Sequence, residues 1–262
     1  MYTYAGKTAL VTGASSGIGA NFARVLAAKG MHVILVARNT ERLQMLAGEI
    51  AEQSGVRAEV ITADLGRENA AQAVYDEVQR RGLHVDMLVN NAGFGTHGQF
   101  ETLDAGRDHE EIMVNVTALV DLTHAFIPAM LARGDGAILN VASTAGFQPV
   151  PYMAVYGATK AFVISFSAAL AHEYRPRGIR VVALCPGATA TEFFSVVGTE
   201  DVVVGAKRTT QLVVTTGLQA LERGQSVVID GRANATLAQF ARLMPQAISA
   251  MIAGQMMKPS KR

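Results

Sequence analysis

The sequence has 262 residues, a hydrophobic content of 50% and a formal net charge of +1. These values fit one domain with a large hydrophobic core, and the lack of a basic block argues against nucleic-acid binding. Because Cys185 is the single cysteine, no internal disulfide can form, and we expect a cytoplasmic protein in a reducing compartment.

The sequence predicts neither a targeting segment, nor a membrane span, nor a metal site. Residues 1–6 lack the charged segment followed by an apolar one that marks a signal peptide. The uncharged stretch 136–159 is long enough to span a bilayer, but it contains polar residues and two prolines that a lipid-facing helix would not accumulate. The six histidines show no metal-ligand spacing.

Short β-branched runs alternate with longer helical patterns along the chain. Most of the short runs are continuously apolar, which is typical of parallel strands buried on both faces. The alternation predicts an α/β fold with a doubly wound, Rossmann-type parallel sheet of about seven strands and helices on both faces. The predicted strands are Thr8–Thr12, His32–Ala37, Arg57–Thr62, Met87–Asn90, Ala137–Val141, Ile179–Leu184 and Ser226–Ile229. The predicted helices are Gly17–Lys29, Glu41–Gln53, Asn69–Arg81, Ile112–Arg133, Tyr152–Arg175 and Thr209–Arg223.

The predicted single domain divides into three regions. Residues 1–185 form the dinucleotide-binding and catalytic core, 186–210 a substrate lid region, and 211–262 a C-terminal helix, the last strand and an apolar tail. Residues 186–210 interrupt the alternation of strands and helices, and they are interpreted either as a mobile lid or as a surface insertion. The tail could pack at an interface, cover the substrate or lie on a membrane. Packing is favoured over membrane contact because the tail's polar face is not strongly basic.

A glycine-rich turn connects the first strand to the first helix, with the sequence Thr12-Gly13-Ala14-Ser15-Ser16-Gly17-Ile18-Gly19. Glycines let backbone N–H groups approach a pyrophosphate, and the positive end of the following helix attracts the anion. A purely structural turn is the alternative. The position of the turn favours a dinucleotide site, with Gly13, Ser15, Ser16, Gly17, Ile18 and Gly19 as cofactor-binding residues.

Arg38 follows the second strand, where an acidic residue would accept hydrogen bonds from an adenosine 2′-hydroxyl. Here the neighbouring residue is Ala37, and a guanidinium at this point suits a 2′-phosphate. The sequence therefore favours NADP over NAD, although Arg38 could instead be a solvated residue at a helix start. Asp64 and Leu65 follow the third strand and are assigned to the adenine side, with a turn cap as the alternative for Asp64.

Tyr156 and Lys160 are four residues apart in a predicted helix, so their side chains share one face about 6 Å apart. Between Gly136 and His172, Lys160 is the only charged side chain. At an effective dielectric near 20, a cation at that distance stabilises phenolate by roughly 3 kcal/mol, or about two pKa units, and desolvation opposes this effect. The pair therefore suits Tyr156 as a general acid/base. A solvated surface lysine is the alternative.

The motifs together resemble the short-chain dehydrogenase/reductase family, in its compact single-domain branch. The resemblance extends over roughly residues 5 to 230, and the stretch 145–156 is similar to the subgroup with hydroxysteroid dehydrogenases and 3-ketoacyl reductases. It rests on Thr12-Gly13-x-x-x-Gly17-x-Gly19, Asn90-Asn91-Ala92-Gly93, Asn115, Ser143, Tyr156-x-x-x-Lys160 and Pro186-Gly187.

The resemblance implies hydride transfer between a nicotinamide and a carbonyl or secondary alcohol, in a homodimer or homotetramer. It implies that Asn115 orders a water and Lys160 within a proton relay, and that Lys160 also binds the nicotinamide ribose beside Tyr156. Further cofactor contacts implied by it are Asn91, Ala92 and Gly93 on the adenosine-ribose side and Pro186, Gly187, Thr189 and Thr191 at the nicotinamide end. A structural backbone clamp is the alternative role for Asn115.

Ser143, at the end of the fifth predicted strand, is expected to hydrogen-bond the substrate oxygen. The candidate substrate walls are mostly aromatic and suggest a mostly apolar small molecule. They comprise Phe94, Gln148, Tyr152, Phe193 and Phe194. The alternative function is a nucleotide-binding sensor without turnover, but such a protein would not need the set Asn115, Ser143, Tyr156 and Lys160.

Overall fold

The computed structural model describes residues 2–199 and 205–259 of the chain. Within these residues, seven parallel strands form one sheet in the order β3-β2-β1-β4-β5-β6-β7, which confirms the predicted doubly wound α/β fold. The strands are β1 (Thr8–Thr12), β2 (His32–Ala37), β3 (Ala58–Thr62), β4 (Met87–Asn90), β5 (Gly136–Val141), β6 (Ile179–Cys185) and β7 (Val227–Ile229).

Helices cover both faces of the sheet. They are α1 (Gly17–Ala28), α2 (Thr40–Ser54), α3 (Ala70–Arg80), α4 (Ala105–Ile112), α5 (Ala118–Arg133), α6 (Ala154–Tyr174), α7 (Phe193–Val197), α8 (Thr210–Glu222), α9 (Arg232–Leu243) and α10 (Gln246–Met256). Phe22 of α1 and Val213 of α8 belong to the core on one face, whereas Val74 of α3 and Phe126 of α5 belong to the core on the other. The central strands β1, β4 and β5 are therefore fully buried, which explains their mostly apolar sequences.

The strand order reverses between β1 and β4, because β2 and β3 lie on one side of β1 and the later strands on the other. The register pairs Leu10 with Ile34 of β2 and with Leu88 of β4. In open parallel sheets, ligands bind beyond the carboxyl ends of the strands at such a switch point. The glycine turn after β1 lies at this position.

The helix predicted over Ile112–Arg133 begins seven residues earlier and is not uniform. α4 starts at Ala105, a π-helical turn follows at Met113–Thr117, and α5 continues from Ala118. The polar sequence of α4 hid it from the hydrophobic pattern. Its start is fixed by Asp104, whose carboxylate accepts from the Arg107 N–H at 2.7 Å. This is the ordinary N-terminal cap of a helix.

Two helical stretches in the described residues, Ala105–Arg133 and Ala154–Arg177, are long and apolar enough to cross a membrane by length and composition alone. The sequence predicted no span. Both stretches pack against the sheet, where Phe126 of the first and Val163 of the second are buried in its cores. A buried helix of a large α/β core has the same composition, so length is weak evidence here.

Candidate active site

A cavity of about 510 Å³ opens at the carboxyl ends of the strands, between the glycine turn and the two C-terminal helices. Most of the residues predicted for the site line it. They are Gly13, Ser15, Ser16, Gly17, Ile18, Arg38, Asp64, Leu65, Asn91, Ala92, Gly93, Phe94, Ser143, Gln148, Tyr156, Lys160, Pro186, Gly187, Thr189, Thr191, Phe193 and Phe194.

Tyr152 does not line this cavity, so the prediction that it forms part of the substrate wall is corrected. It lines a separate cavity of about 290 Å³ beside Gly98. Its backbone has a φ of 67°, and its carbonyl accepts from the Gly98 N–H at 2.9 Å. This positive φ belongs to the turn before α6 and separates Tyr152 from the face that carries Tyr156.

The glycine turn packs tightly against the chain that follows β4. A Cβ on Gly13 would lie 2.9 Å from the Ala92 Cα, and one on Gly19 would overlap the Gly13 carbonyl oxygen. Gly19 therefore lies behind the cavity wall. Asn91 fixes the turn through its side-chain N–H, which donates to the Thr12 carbonyl at 2.9 Å. The cradle is thus shaped by close backbone approach, as a pyrophosphate site requires.

The first turn of α1 carries no acidic residue, and the Ser16 side chain makes no capping hydrogen bond to it. Ser16 instead bonds to Glu192, and this bond together with Arg42 lowers the pKa of the Glu192 carboxyl. Arg42 is the larger cause, through an ion pair of 2.8 Å. The backbone N–H groups at this helix start suit the phosphates of a dinucleotide.

Arg38 reaches the surface beside the adenosine end of the cradle. Its side chain is 64% exposed, and its Nη1 lies 3.4 Å from Glu110 Oε1. Glu110 also pairs with Arg107 at 2.6 Å. Arg107 stacks on Phe94, with its guanidinium carbon 3.8 Å from the ring centroid. Neither Arg42 nor Arg107 was among the residues predicted from the sequence. Arg107 lies in α4, whose existence the hydrophobic pattern did not indicate.

Tyr156 and Lys160 lie one helical turn apart on α6, as predicted, with Lys160 Nζ 5.7 Å from the tyrosine ring centroid. The lysine is 5% exposed and donates to the Val141 carbonyl at 3.0 Å. The Ser143 hydroxyl bonds to the Tyr156 phenol and accepts from the Ala145 N–H at 3.1 Å. Two hydroxyl groups and one ammonium group therefore meet at the end of β5.

Burial dominates the acid–base properties of this group. It raises the pKa of Tyr156 to about 12, although the Ser143 hydroxyl bond acts in the opposite direction, and the Glu111 carboxylate raises it further. Burial also lowers the pKa of Lys160 to about 8, against the opposing charges of Glu111 and Cys185. The expected lysine-driven fall in the phenol pKa is therefore not found in the protein alone: desolvation of the phenolate raises the pKa, and the group that lowers it is the Ser143 hydroxyl.

Asn115 lies behind the cavity, in the π-helical turn between α4 and α5, and is 1% exposed. Its side chain accepts from the Phe94 N–H at 3.1 Å and donates to the Phe94 carbonyl at 2.9 Å and the Thr159 hydroxyl at 3.1 Å. Asn115 thus holds the backbone at Phe94, which is the structural role given above as the alternative to ordering a water. A Cβ on Gly93 would lie 2.8 Å from Asn115 Oδ1 and 3.3 Å from Lys160 Nζ, so both side chains meet at this glycine.

The residues predicted for the nicotinamide end follow β6, and this segment packs against the glycine turn. A Cβ on Gly17 would lie 3.1 Å from Thr191 Cγ2, so the two segments are in close contact. Thr189 is 5% exposed, and its hydroxyl donates to the Gly187 carbonyl at 3.0 Å. Of the predicted lid region 186–210, α7 lines the cavity, and residues 200–204 lie outside the described residues.

The remaining wall is apolar and comes partly from the tail. The Phe193 ring lies 5.3 Å from that of Tyr156, centroid to centroid. α9 and α10 contribute Leu237, Ala238, Ala241, Ala253, Met256 and Met257. The tail is tied to the domain by the Met257 carbonyl, 2.8 Å from the His97 ring Nε2, and by the Ser249 hydroxyl, which donates to Gln148 at 3.3 Å. Its apolar composition was the only sequence signal for this wall.

Comparisons with known proteins agree with this geometry. Residues 7–201 match the family described as short chain dehydrogenase. The chain is 40% identical over 194 residues to a very-long-chain 3-oxoacyl-CoA reductase of Anas platyrhynchos, which covers 71% of this chain and 61% of that protein. It is 36% identical to a 17-beta-hydroxysteroid dehydrogenase type 3 of Rattus norvegicus, with 75% and 64% covered. The chain therefore spans less than two thirds of these relatives.

Among solved structures, a short-chain dehydrogenase from Sphingobium yanoikuyae in complex with NADPH superimposes with a TM-score of 0.81 at 35% identity. The match covers 92% of this chain and 97% of that one.

Proposed function

Because the chain belongs to the short-chain dehydrogenase family, we propose that it is an NADP(H)-dependent oxidoreductase acting on a carbonyl or secondary alcohol of a mostly apolar small molecule. One observation carries this proposal: the Ser143–Tyr156 hydroxyl pair lies beside buried Lys160 in the same cavity as the glycine cradle. The relatives named as 3-oxoacyl-CoA reductase and hydroxysteroid dehydrogenase support the reaction class.

The nicotinamide, when bound, supplies or accepts the hydride, and the protein handles the proton. In reduction, Tyr156 gives its phenolic proton to the substrate oxygen as negative charge develops there. The Ser143 hydroxyl hydrogen-bonds the same oxygen and stabilises that charge. Lys160 stabilises the resulting phenolate until a proton returns to it. In oxidation the same groups act in reverse, with Tyr156 as the base.

The preference for NADP rests on the basic residues beside the adenosine end. Ala37 supplies no carboxylate for a 2′-hydroxyl, whereas Arg38 and Arg42 lie near the end of β2 and lack a buried partner. Both pair with exposed or half-exposed carboxylates, and a phosphate can replace such partners at little cost. The NADPH complex of the Sphingobium yanoikuyae relative supports this choice.

The preference for an apolar substrate rests on the wall opposite the proton-handling groups. Phe193, Phe194 and Val150 pack in one apolar cluster with Tyr156, and Leu237 and Met256 line the same cavity. Apolar walls with a few convergent polar groups are typical of small-molecule sites. The competing hypothesis, a sensor that binds NADP without turnover, gives no role to buried Lys160 beside Tyr156.

The assembly and location of the protein stay proposals. We place it in the cytoplasm as a homodimer or homotetramer in which the outer face of α6 meets a second copy. On that face Phe162 is 40% exposed and stacks on Phe166, with ring centroids 5.7 Å apart. Sedimentation of the parent and of Phe162→Ser tests this, because a monomeric parent would contradict it.

The function is tested by NADPH oxidation with steroids, 3-ketoacyl esters, quinones and aldehydes, followed by the Tyr156→Phe variant. We expect this variant to lose roughly a hundredfold or more in turnover, because its general acid is gone, while it binds NADPH as the parent does. Tyr174→Phe is the matched control at the far end of the same helix. Full turnover in Tyr156→Phe would remove this phenol from the mechanism.

A further inference from the structure

Glu111 is a buried carboxyl group for which the proposed reaction, as described so far, has no use. It lies in α4, one helical turn before Asn115, and is 0% exposed. Its Oε2 accepts from the Thr96 N–H at 2.9 Å and lies 3.1 Å from the Thr96 hydroxyl. Among the described residues, its Oε1 has no hydrogen-bond partner. A buried, half-satisfied carboxyl group is costly, and such groups concentrate at functional sites.

The Thr96 hydroxyl connects Glu111 to a second carboxyl group nearer the surface. It lies 2.9 Å from Asp108 Oδ1, and Asp108 is 8% exposed. One hydroxyl between two carboxyl groups can donate to either of them. When Glu111 is protonated, it can donate to the Thr96 oxygen while that hydroxyl donates to Asp108. This arrangement lets a proton move between a carboxyl group that is 0% exposed and one in a residue that is 8% exposed.

Glu111 also lies near the proton-handling groups of α6, because α4 packs against α6 and Asn115, one turn after Glu111, meets Lys160 at Gly93. The charged and titratable groups around it are Asp108 from its own helix and Lys160 and Tyr156 from α6, with Cys185 beyond the lysine. Burial raises the pKa of Glu111 to about 7 and lowers that of Lys160 to about 8. Proton exchange between two groups of such similar acidity requires little energy.

We propose that Glu111, Thr96 and Asp108 form a proton path that connects buried Lys160 with solvent. The inference rests on the proposed function. In reduction, Tyr156 gives one proton to the substrate oxygen and regains one from Lys160. Lys160 regains one from Glu111, and Glu111 regains one from water through Thr96 and Asp108. One solvent proton is thus consumed for each hydride transferred, and in oxidation the same proton leaves by the same path.

The first experiment needs neither cofactor nor substrate. Infrared difference spectra of the parent protein, recorded as the pH is raised through about 7, should show the loss of one buried protonated carboxyl. The signal should be missing in Glu111→Gln. It should remain in Glu101→Gln, which changes an exposed glutamate in the loop before α4.

The second experiment breaks the path and keeps both carboxyl groups. Thr96→Val removes the hydroxyl but not the N–H that holds Glu111. We expect steady-state reduction to slow by roughly tenfold or more, with a larger solvent isotope effect and unchanged NADPH affinity, because Tyr156 must regain a proton before each new cycle. Thr102→Val is the matched control, because its hydroxyl donates to the Gln99 carbonyl in the same loop. If Glu111→Gln does not fold, Thr96→Val still decides the question.

The outcomes separate this proposal from the function on which it rests. Parent-like rate and isotope effect in Thr96→Val would make Glu111 a structural carboxyl group and overturn the path. A parent spectrum with no titrating carboxyl would overturn it without any substrate. If the parent oxidises no NADPH with any substrate, the function fails and the path falls with it, whatever the spectrum shows for Glu111.

Discussion

Lys160→Met should change how stability depends on pH, because the parent keeps a buried ammonium that the unfolded chain exposes to water. The lysine is 5% exposed, and its pKa falls from 10.5 to about 8 on folding. At about 1.4 kcal/mol for each pH unit, this difference corresponds to about 3 kcal/mol of destabilisation while the group is charged in both states.

The sign follows from proton binding. Between pH 8 and 10.5 the unfolded chain holds a proton on this lysine that the folded protein has released. Stability contributed by this group therefore rises with pH across that window. Below pH 8 the full destabilisation by the buried ammonium is present, and above pH 10.5 it is gone. The Met variant lacks this dependence, so the free energy of unfolding of the parent minus that of the variant should rise by about 3 kcal/mol across the window.

Urea unfolding of both proteins at a series of pH values measures this difference directly. The lost hydrogen bond to Val141 adds a constant and leaves the slope unchanged. Lys258→Met is the matched control, and its curve should run parallel to that of the parent because this side chain is exposed. Parallel curves for the parent and Lys160→Met would refute the argument that burial sets the acidity of this lysine.

Two further predictions concern the cofactor cradle. Arg38→Asp should lower the preference for NADPH over NADH, measured as the ratio of kcat/KM values, by roughly tenfold to a hundredfold. The reason is that the proposed charge-assisted bond to the 2′-phosphate becomes a repulsion. An unchanged ratio would assign the phosphate to another basic group. Gly13→Ala should lower the free energy of unfolding by roughly 2–3 kcal/mol, because a Cβ there meets the Ala92 backbone at 2.9 Å with φ at 63°. Gly82 also has a φ of 63°, but a Cβ added there would have no neighbour within 4 Å. Gly82→Ala should therefore lower the free energy of unfolding by only about 1 kcal/mol. If chemical denaturation shows equal losses of unfolding free energy in Gly13→Ala and Gly82→Ala, close packing of Gly13 against Ala92 is contradicted.

Most of the cavity lining could be predicted because strand ends and helix starts are marked in the sequence. Gly13 and Ser143 follow β1 and β5, and parallel strands bring their carboxyl ends to one edge of the sheet. Tyr156 and Lys160 share a helix face by spacing alone. These positions depend on local rules and on the order of the elements, and both are readable without coordinates.

The failures depended on contacts between distant parts of the chain. Tyr152 was misplaced because its direction is set by a positive φ that its neighbours did not reveal. α4 was missed because it is short and polar. The pKa of Tyr156 was expected to fall, but burial raises it, and the extent of burial is a property of the packed fold. The wall from α9 and α10 closes against residues about a hundred positions away, as the contact between Ser249 and Gln148 shows.

The two helical segments that complete the cavity lie outside the stretch that matches the family, which ends at residue 201. The proposed proton-handling groups thus lie within the matched stretch, whereas part of the apolar wall lies beyond it. Under the proposed function, a change within residues 232–259 would alter the apolar wall and leave Ser143, Tyr156 and Lys160 in place. This part of the wall can therefore vary among proteins of one fold while the proposed proton-handling groups stay the same.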